Sequence, residues 1–298
     1  MERVSFHDQI AKNKLKSLLL LISIIIVFAV FGYIIGIIAG PDYFAIIMSI
    51  SIIISVFYVW FGYYNSHKLA LASVNAKPAP ESYRQYHHSV EGLAIASGLP
   101  KPRLYVMEDN NINAFASGRD PKNAVICVTT GALKKLDKHE LEGVLAHEMS
   151  HIANYDIRFM TLTAVLVGMI AIISEIFLRS LHFRAVGDRD SKANAILIII
   201  GVALAILAPV VVSLVQLAIS RKREYTADAS GVKFTRSPTG LINALKKIKN
   251  EHQPSYEQKY HYNKAVAPLF ISNPFKKLGG LFQTHPPLEK RIEILERM

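Results

Sequence analysis

The sequence has few cysteines, few charges and few acidic residues. Its single cysteine, Cys127, excludes an intramolecular disulfide framework and any Cys-rich metal site, and we expect it to be a small buried residue of a strand. Charged residues make up only 19% of the 298 positions, whereas hydrophobic residues make up 51%. Both values lie on the apolar side of an ordinary globular protein. The composition therefore indicates that the chain is not purely soluble.

The shortage of acidic residues leaves the chain strongly basic. Asp and Glu number 23 against 34 Lys and Arg, which gives a formal net charge of +11. Such a charge is also typical of nucleic-acid-binding proteins, but the sequence has no basic stripe with interleaved aromatic residues. In membrane proteins Lys and Arg accumulate in cytoplasmic loops, and this gives the excess a simpler cause. We therefore expect no nucleic-acid partner.

The apolar residues are concentrated in four blocks. Residues 18–39, 43–64 and 193–220 carry no charge and are 22, 22 and 28 residues long, and a bilayer's hydrocarbon core needs about 20 helical residues. The fourth block, 159–178, contains Glu175, which is near one end where a carboxylate reaches the interface at modest cost. We therefore predict an integral membrane protein with four transmembrane helices.

Four spans divide the chain into four consecutive regions: an N-terminal anchor at 1–64, a polar region at 65–158, a transmembrane hairpin at 159–220 and a second polar region at 221–298. Both termini and both polar regions then lie on one side of the membrane. Only four of the 34 basic residues lie in the outer loop at 179–192, so that side is predicted to be cytoplasmic. The apolar start is too long for a signal peptide and no cleavage site follows it, so we expect it to stay attached.

The region between the second and third spans predicts a small α+β unit. Helical spacing occurs at 83–97 and at 138–155, and short β-branched or apolar runs at 103–107 and 124–129 are typical of strands. Residues 113–118 form either a third strand, at the edge of the sheet, or a loop rich in small residues. The expected fold is mainly α with a small β-sheet.

A metal-binding pattern, His147-Glu148-Met149-Ser150-His151, lies within the second of these helices. Histidines at i and i+4 share one helical face, so both rings can reach one cation, and the intervening Glu148 can point at a water molecule there. The alternative is a pair of surface histidines on an amphipathic helix. The spacing suits zinc.

A hydrolytic zinc needs a third protein ligand and an open position for water. Glu224 and Asp228 are again i and i+4 on a predicted helix, so that one carboxylate could bind zinc while the other orients a ligand imidazole. The alternative is that both are solvated helix charges. Two predicted spans separate them from the histidines, and an even number of spans returns both segments to the same membrane face.

Four motifs spread along the chain carry a family resemblance: HEMSH at 147–151, EYTAD at 224–228, NAFASG at 113–118 and THPPLEKRI at 284–292. With the four spans they resemble the HtpX family of bacterial membrane zinc metalloproteases and, more distantly, the zinc-dependent CAAX prenyl proteases. The resemblance implies a multi-pass protein of the bacterial cell membrane with a glutamate-ligated zincin domain. It implies one Zn²⁺ per chain, with Glu224 as the third ligand beside His147 and His151.

The resemblance also implies the substrates, which are damaged, misfolded or unfolded membrane proteins met at the cytoplasmic face. A processing protease and a non-catalytic metal protein are the alternatives. Prenylated tails are not expected in a bacterial cell, and a structural zinc usually closes its fourth position with another Cys or His, which is not evident beside the motif. The oligomeric state does not follow from the sequence.

The ligand set predicts peptide-bond hydrolysis. Zinc lowers the pKa of a water molecule and polarises the scissile carbonyl, while Glu148 takes the water's proton and passes it to the leaving amine. An exposed edge strand containing Asn113, Ala114, Phe115 and Ala116 is predicted to pair with the backbone of an extended substrate.

Two further expectations concern the ends of the predicted helices. His285 precedes Pro286 and Pro287, where it could donate a hydrogen bond to the oxyanion or cap a terminal helix. The HEMSH helix is expected to run directly into the third span, since only seven residues separate His151 from Phe159 and none is Gly or Pro. That continuity would place the site close to the cytoplasmic membrane surface.

Overall fold

The computed structural model describes residues 6–163, 201, 221–251, 269–271 and 286–298. Helix α1 spans Phe6–Ala39 and helix α2 spans Pro41–Ser73. By length and composition, Asn13–Ile37 of α1 and the whole of α2 could each cross a membrane. Many of their large apolar side chains are exposed, as expected for a surface that faces lipid.

The two long helices form a tight antiparallel hairpin. Gly40 joins them with a φ of +100°, a conformation that glycine adopts without strain, and Pro41 begins α2 at the position where its missing N–H costs nothing. A Cβ at Gly32 would lie 2.5 Å from the Cβ of Ser51, so the close approach of the helices depends on a glycine there.

A four-stranded mixed sheet follows the hairpin, in the order β1-β2-β4-β3. Strands β2 and β4 are parallel, and the other two pairings are antiparallel. The strands are Lys77–Pro78 (β1), Arg103–Met107 (β2), Ala114–Ser117 (β3) and Val125–Thr129 (β4). Sequence reasoning predicted β2 and β4 to within one residue, and residues 114–117 form a strand at the sheet edge rather than a loop.

Helices cover one face of the sheet and the end of α2 covers the other. Ile126 and Val128 of β4 belong to the main core, whereas Val125 and Cys127 pack with Leu71 near the end of α2. Cys127 is therefore a buried strand residue, as expected. The helices of the α+β unit are α3 (Arg84–Ser97), α4 (Thr130–Lys135), α5 (Lys138–Ala153), the carboxylate helix (Arg221–Thr235), the helix Thr239–Glu251 and the C-terminal helix (Leu288–Leu295).

Helix α5 carries the HEMSH motif through the middle of this unit. Asp137 and Glu140 form a capping box at its start, because the Asp137 side chain accepts from the Glu140 N–H and the Glu140 side chain accepts from the Asp137 N–H. At Gly143 a Cβ would lie 2.4 Å from the backbone nitrogen of Leu241, so this glycine lets the helix Thr239–Glu251 pack directly on α5.

The prediction that the HEMSH helix continues into the third span is wrong. Helix α5 ends at Ala153, residues 154 and 155 form a turn, and helical structure resumes over 156–163. Tyr155 has a φ of +59°, in the left-handed region that interrupts a right-handed helix. Neither Gly nor Pro marks the break, so the sequence pattern could not reveal it.

The structure confirms a mainly helical fold with a small mixed sheet and contains two apolar helices long enough to span a membrane. Of the predicted third and fourth spans, the structure describes only residues 159–163 and residue 201. His285 and residues 252–268 also lie outside the described residues.

Candidate metal centre

Both histidines of the HEMSH motif are buried and converge on one point. His147 and His151 are 0% and 3% exposed, and their Nε2 atoms lie 3.2 Å apart. The alternative of two surface histidines is therefore wrong.

The third candidate ligand comes from the carboxylate helix. The Glu224 carboxylate lies 3.6 Å from the Nε2 atom of His147 through one oxygen and 3.6 Å from that of His151 through the other. The helix can approach α5 because Gly231 faces the backbone of His147, where a Cβ would meet the nitrogen at 3.2 Å. Among the described residues, His147, His151 and Glu224 form a buried group whose ligand atoms all lie within 4.8 Å of one another.

These spacings fit a tetrahedral zinc ion. With metal–ligand bonds of about 2.0 to 2.1 Å, neighbouring ligand atoms of a tetrahedral site lie about 3.3 Å apart. The separations of 3.2 and 3.6 Å in the structure bracket that value. Two imidazoles and one carboxylate also leave a fourth position open, which is the pattern of catalytic rather than structural zinc.

Asp228 contacts the His147 ring, and the buried Arg291 pairs with Asp228. The Nδ1 of His147 lies 2.9 Å from Asp228, and Arg291 donates to both oxygens of Asp228 at 2.6 and 2.9 Å. Although burial alone would raise it, the charge of Arg291 brings the pKa of Asp228 down to about 2. An ionised Asp228 holds the proton of His147 on Nδ1 and leaves the Nε2 lone pair for a metal.

A second carboxylate holds His151 in the same way. Its Nδ1 lies 3.1 Å from Asp156, whose side chain is fully buried. In an uninterrupted helix residue 156 would lie about 140° around the axis from His151, because each residue advances about 100°. The turn at 154 and 155 instead brings the Asp156 carboxylate to the His151 ring. Each ligand imidazole therefore has its own outer carboxylate.

Sequence reasoning missed Asp156 and Arg291. Asp156 lies five residues after His151, a spacing with no meaning in a continuous helix. Arg291 belongs to the THPPLEKRI motif, but nothing in that motif shows a buried contact with the carboxylate helix. The interpretation of Glu224 and Asp228 as solvated charges is wrong, since they are 4% and 1% exposed.

The electrostatics of the pocket favour a cation. Burial and the nearby Arg291 lower the pKa of His147, but Asp228 and Glu224 outweigh them and raise it to about 9. Buried carboxylates outnumber buried guanidinium groups around the two imidazoles. The carboxylates are Glu148, Asp156, Glu224 and Asp228, and the guanidinium groups are Arg223 and Arg291.

Glu148 lies between the candidate metal ligands and the sheet edge. Its carboxylate accepts a hydrogen bond from the backbone N–H of Ala116 in β3, and burial raises its pKa. A carboxylate whose charged form is disfavoured by burial accepts a proton more readily than an exposed one. Glu148 therefore has the environment of a general base.

The β3 edge that faces Glu148 is buried rather than exposed. All four residues of β3 are buried, and Ile271 donates its backbone N–H to the carbonyl of Ala114 at 3.0 Å. The preceding Asn113 accepts the amide N–H of Ala114 on its side chain. The expectation of an exposed edge is therefore corrected, because the segment 269–271 already covers the Ala114 end.

Residues 80–298 of the chain match peptidase family M48, and this range includes His147, His151 and Glu224 together with Glu148, Asp156, Asp228 and Arg291. The chain belongs to peptidase family M48. Being an M48 member, it is a metallopeptidase, and the metal of such enzymes is generally zinc.

Relatives match along the whole chain. A protease HtpX homolog of Caldanaerobacter subterraneus subsp. tengcongensis is 48% identical over 248 residues, covering 82% of each chain. A protease HtpX homolog of Thermoanaerobacter pseudethanolicus is 42% identical over 307 aligned residues, covering 100% of this chain and 99% of the relative. The similarity to these relatives, together with the two apolar helices, identifies this M48 peptidase as a membrane protein.

A crystal structure of S. mikatae Ste24p has the same fold. It superposes with a TM-score of 0.51 at 17% identity, covering 96% of this chain and 65% of that chain. At this identity the likeness concerns the fold alone.

Proposed function

We propose that this M48 peptidase is a zinc-dependent endopeptidase that hydrolyses misfolded or damaged membrane proteins at the cytoplasmic face of the bacterial cell membrane. The observation that carries the proposal is the buried triad of His147, His151 and Glu224, with ligand atoms 3.2 to 3.6 Å apart. It lies in a unit packed against the end of an apolar hairpin.

The triad would hold one zinc ion per chain, which would lower the pKa of a water molecule and polarise the scissile carbonyl. Glu148 accepts the proton of the attacking water and passes it to the leaving nitrogen. The N–H of Ala116 fixes the Glu148 carboxylate for this transfer. Asp228 keeps the His147 ring in the tautomer that a metal requires.

The β3 edge is the proposed substrate-binding strand. Ala116 lies opposite Ile126 in the register, and its N–H faces away from β4 toward Glu148. The Ala116 carbonyl at this end of Asn113–Ala116 would accept a hydrogen bond from the backbone of a substrate and so bring that backbone beside the general base, whereas the Ala114 end is already paired with Ile271. Pairing through backbone groups reads little side-chain sequence, and this suits a protease with many unfolded substrates.

The proposed topology has four spans, with 159–178 and 193–220 completing the membrane domain and both termini cytoplasmic. Packing of Phe159 and Leu162 against Leu20 and Ile24 of α1 supports the start of the third span.

Thiol labelling of intact cells tests the four-span topology: Lys222→Cys should react only from the cytoplasm and Gly187→Cys only from outside. Native Cys127 is buried and adds little background. Cytoplasmic labelling of Gly187→Cys would remove the third and fourth spans.

His285 is proposed to donate to the oxyanion. It lies six residues before Arg291, whose guanidinium lies beside Asp228, the His147 ring and Glu224. The proposal is supported by the short distance along the chain between His285 and Arg291. His285 itself lies outside the described residues.

The substrate class is tested by protein half-lives in cells. Quantitative proteomics should compare cells that produce the wild-type chain with cells that produce Glu148→Gln at the same level. We expect a subset of membrane proteins to live longer in the Glu148→Gln cells while soluble proteins are unchanged. If only soluble proteins were stabilised, the membrane-protein substrates would be wrong while the peptidase activity stood.

A further inference from the structure

A polar side chain of the first membrane helix reaches the metal centre. The Nδ2 atom of Asn13 in α1 donates to the Asp156 carboxylate at 2.7 Å and to the carbonyl of Asn154 at 2.9 Å. Asn13 is only 4% exposed. More than 140 residues of chain separate it from these partners, so the contact is a tertiary one that joins α1 to the turn after the HEMSH helix.

Asp156 connects this contact to a metal ligand. One of its oxygens accepts from Asn13, and the other lies 3.1 Å from the Nδ1 of His151. The Asn13 side chain thus holds the carboxylate that holds the ligand imidazole. The Nε atom of Arg223 lies 3.7 Å from the Asp156 oxygen that accepts from Asn13.

The turn at 154 and 155 needs such support. The left-handed Tyr155 costs about 1 to 2 kcal/mol in an L-residue, so surrounding contacts must favour it. Asn13 binds the backbone on one side of Tyr155 and the side chain on the other. The neighbouring Lys14 lies over the Tyr155 ring, 4.7 Å from its centroid. Helix α1 therefore contacts both residues of the turn and the first residue of the helix that follows it.

Apolar packing fixes the position of α1 along this turn. Leu20 and Ile24, both 1% exposed, pack against Phe159 and Leu162, the residues that follow Asp156 along the chain. Their positions, seven and eleven residues after Asn13, continue the same helical face. The contact at Asn13 is thus part of a continuous interface rather than a single touching pair.

We infer that Asn13 is a positioning residue of the metal centre, through which the first membrane helix sets the orientation of the ligand His151 by holding Asp156. The helix is then a component of the active site as well as an anchor. This inference rests on the proposed function, because it concerns how a zinc ligand is oriented.

Zinc affinity of the full-length protein in lipid nanodiscs tests the inference. Asn13→Ala should bind zinc about tenfold more weakly in competition with a chromophoric chelator, the lower end of the effect of outer partners of metal ligands. The absorption spectrum of the cobalt-substituted protein should also change, since it reports ligand geometry. Ser17→Ala is the matched control: Ser17 is buried on the same helix face, but its hydroxyl donates to the carbonyl of Asn13 within the helix. It should leave both readouts unchanged.

A double-mutant cycle separates positioning from general loosening of the fold. In an Asp156→Ala background, Asn13→Ala should produce no further loss of zinc affinity, because its effect passes through Asp156. Additive losses would overturn the inference. Asn13→Leu lacks the donors but fills the space of the side chain, so it should lose zinc affinity as Asn13→Ala does. It serves as the test variant if the smaller alanine prevents folding.

The outcomes distinguish this inference from the function on which it rests. In one outcome, the wild-type chain binds zinc, and both Asn13→Ala and Asn13→Leu bind it equally well with an unchanged cobalt spectrum. The inference is then wrong and the proposed function stands. If the wild-type chain binds no zinc, the proposed function falls and the inference with it.

Discussion

His147 and His151 lie four residues apart on one helix, yet they are held from different parts of the molecule. His147 contacts Asp228 on the carboxylate helix and Arg291 of the C-terminal helix, and Arg291 also pairs with Asp228. His151 is backed by Asp156, which contacts α1 of the membrane hairpin. The two candidate ligands are therefore connected to opposite ends of the chain, one to helix α1 and the other to the C-terminal helix.

The two supports also differ in charge. On the His147 side, Asp228 is paired with a guanidinium through two short hydrogen bonds. On the His151 side, the nearest donor to Asp156 is a neutral amide, and the guanidinium of Arg223 is 3.7 Å away. We expect the first support to contribute mainly to stability and the second mainly to ligand orientation.

The largest effect is expected at the residue that both sides share. Glu224→Ala removes the carboxylate that lies 3.6 Å from both imidazoles. The purified variant should contain far less than one zinc per chain by elemental analysis and should show no proteolysis. If zinc content and proteolysis were unchanged, Glu224 would not be the third ligand and Asp228 would be the next candidate.

Breaking the His147 support should reduce stability. Arg291→Met leaves the buried Asp228 carboxylate without its partner, and breaking a buried ion pair costs about 3 to 5 kcal/mol. Thermal unfolding of the metal-free protein measures this without a contribution from zinc. The control is Arg297→Met, because Arg297 forms an exposed pair with Glu293 and such pairs contribute about 0 to 1 kcal/mol. Equal shifts for the two variants would contradict the structural role of Arg291.

Breaking the His151 support should have a smaller effect, mainly on metal affinity. Asp156→Asn keeps the size of the side chain but loses its charge, so the imidazole is held less firmly. Zinc affinity should fall about 10- to 100-fold, while the unfolding midpoint of the metal-free protein should change less than in Arg291→Met. A larger loss of stability than in Arg291→Met would reverse the assigned roles of the two sides.

The two supports also show what sequence reasoning could reach. The two histidines follow from i and i+4 spacing, which is local and needs no tertiary structure. The same spacing left Glu224 and Asp228 as alternatives, and the choice of Glu224 came from the family resemblance. The strands likewise follow from local apolar runs. Asp156 could not be found this way because the left-handed Tyr155 turns the chain, and the residue type at position 155 gives no sign of that conformation. Arg291 and Asn13 were missed because their partners are 63 and 143 residues away in the chain.

The exposure of the β3 edge was beyond sequence reasoning for a related reason. A strand was one of two interpretations of residues 113–118 and the structure confirms it, but the edge of that strand is covered at Ala114 by Ile271, more than 150 positions further along the chain. No periodicity in residues 113–118 reports such a distant neighbour.

Glu148→Gln tests the account's central claim, that the HEMSH and carboxylate helices form a catalytic zinc centre, most directly. The substitution keeps the size of the side chain and the metal ligands but removes its basicity. Zinc content should remain at one ion per chain, while cleavage of casein or of a membrane substrate should fall by about 10² to 10⁴. Near-normal turnover with zinc retained would contradict the role of Glu148 as general base, and loss of zinc in this variant would contradict its place outside the ligand set.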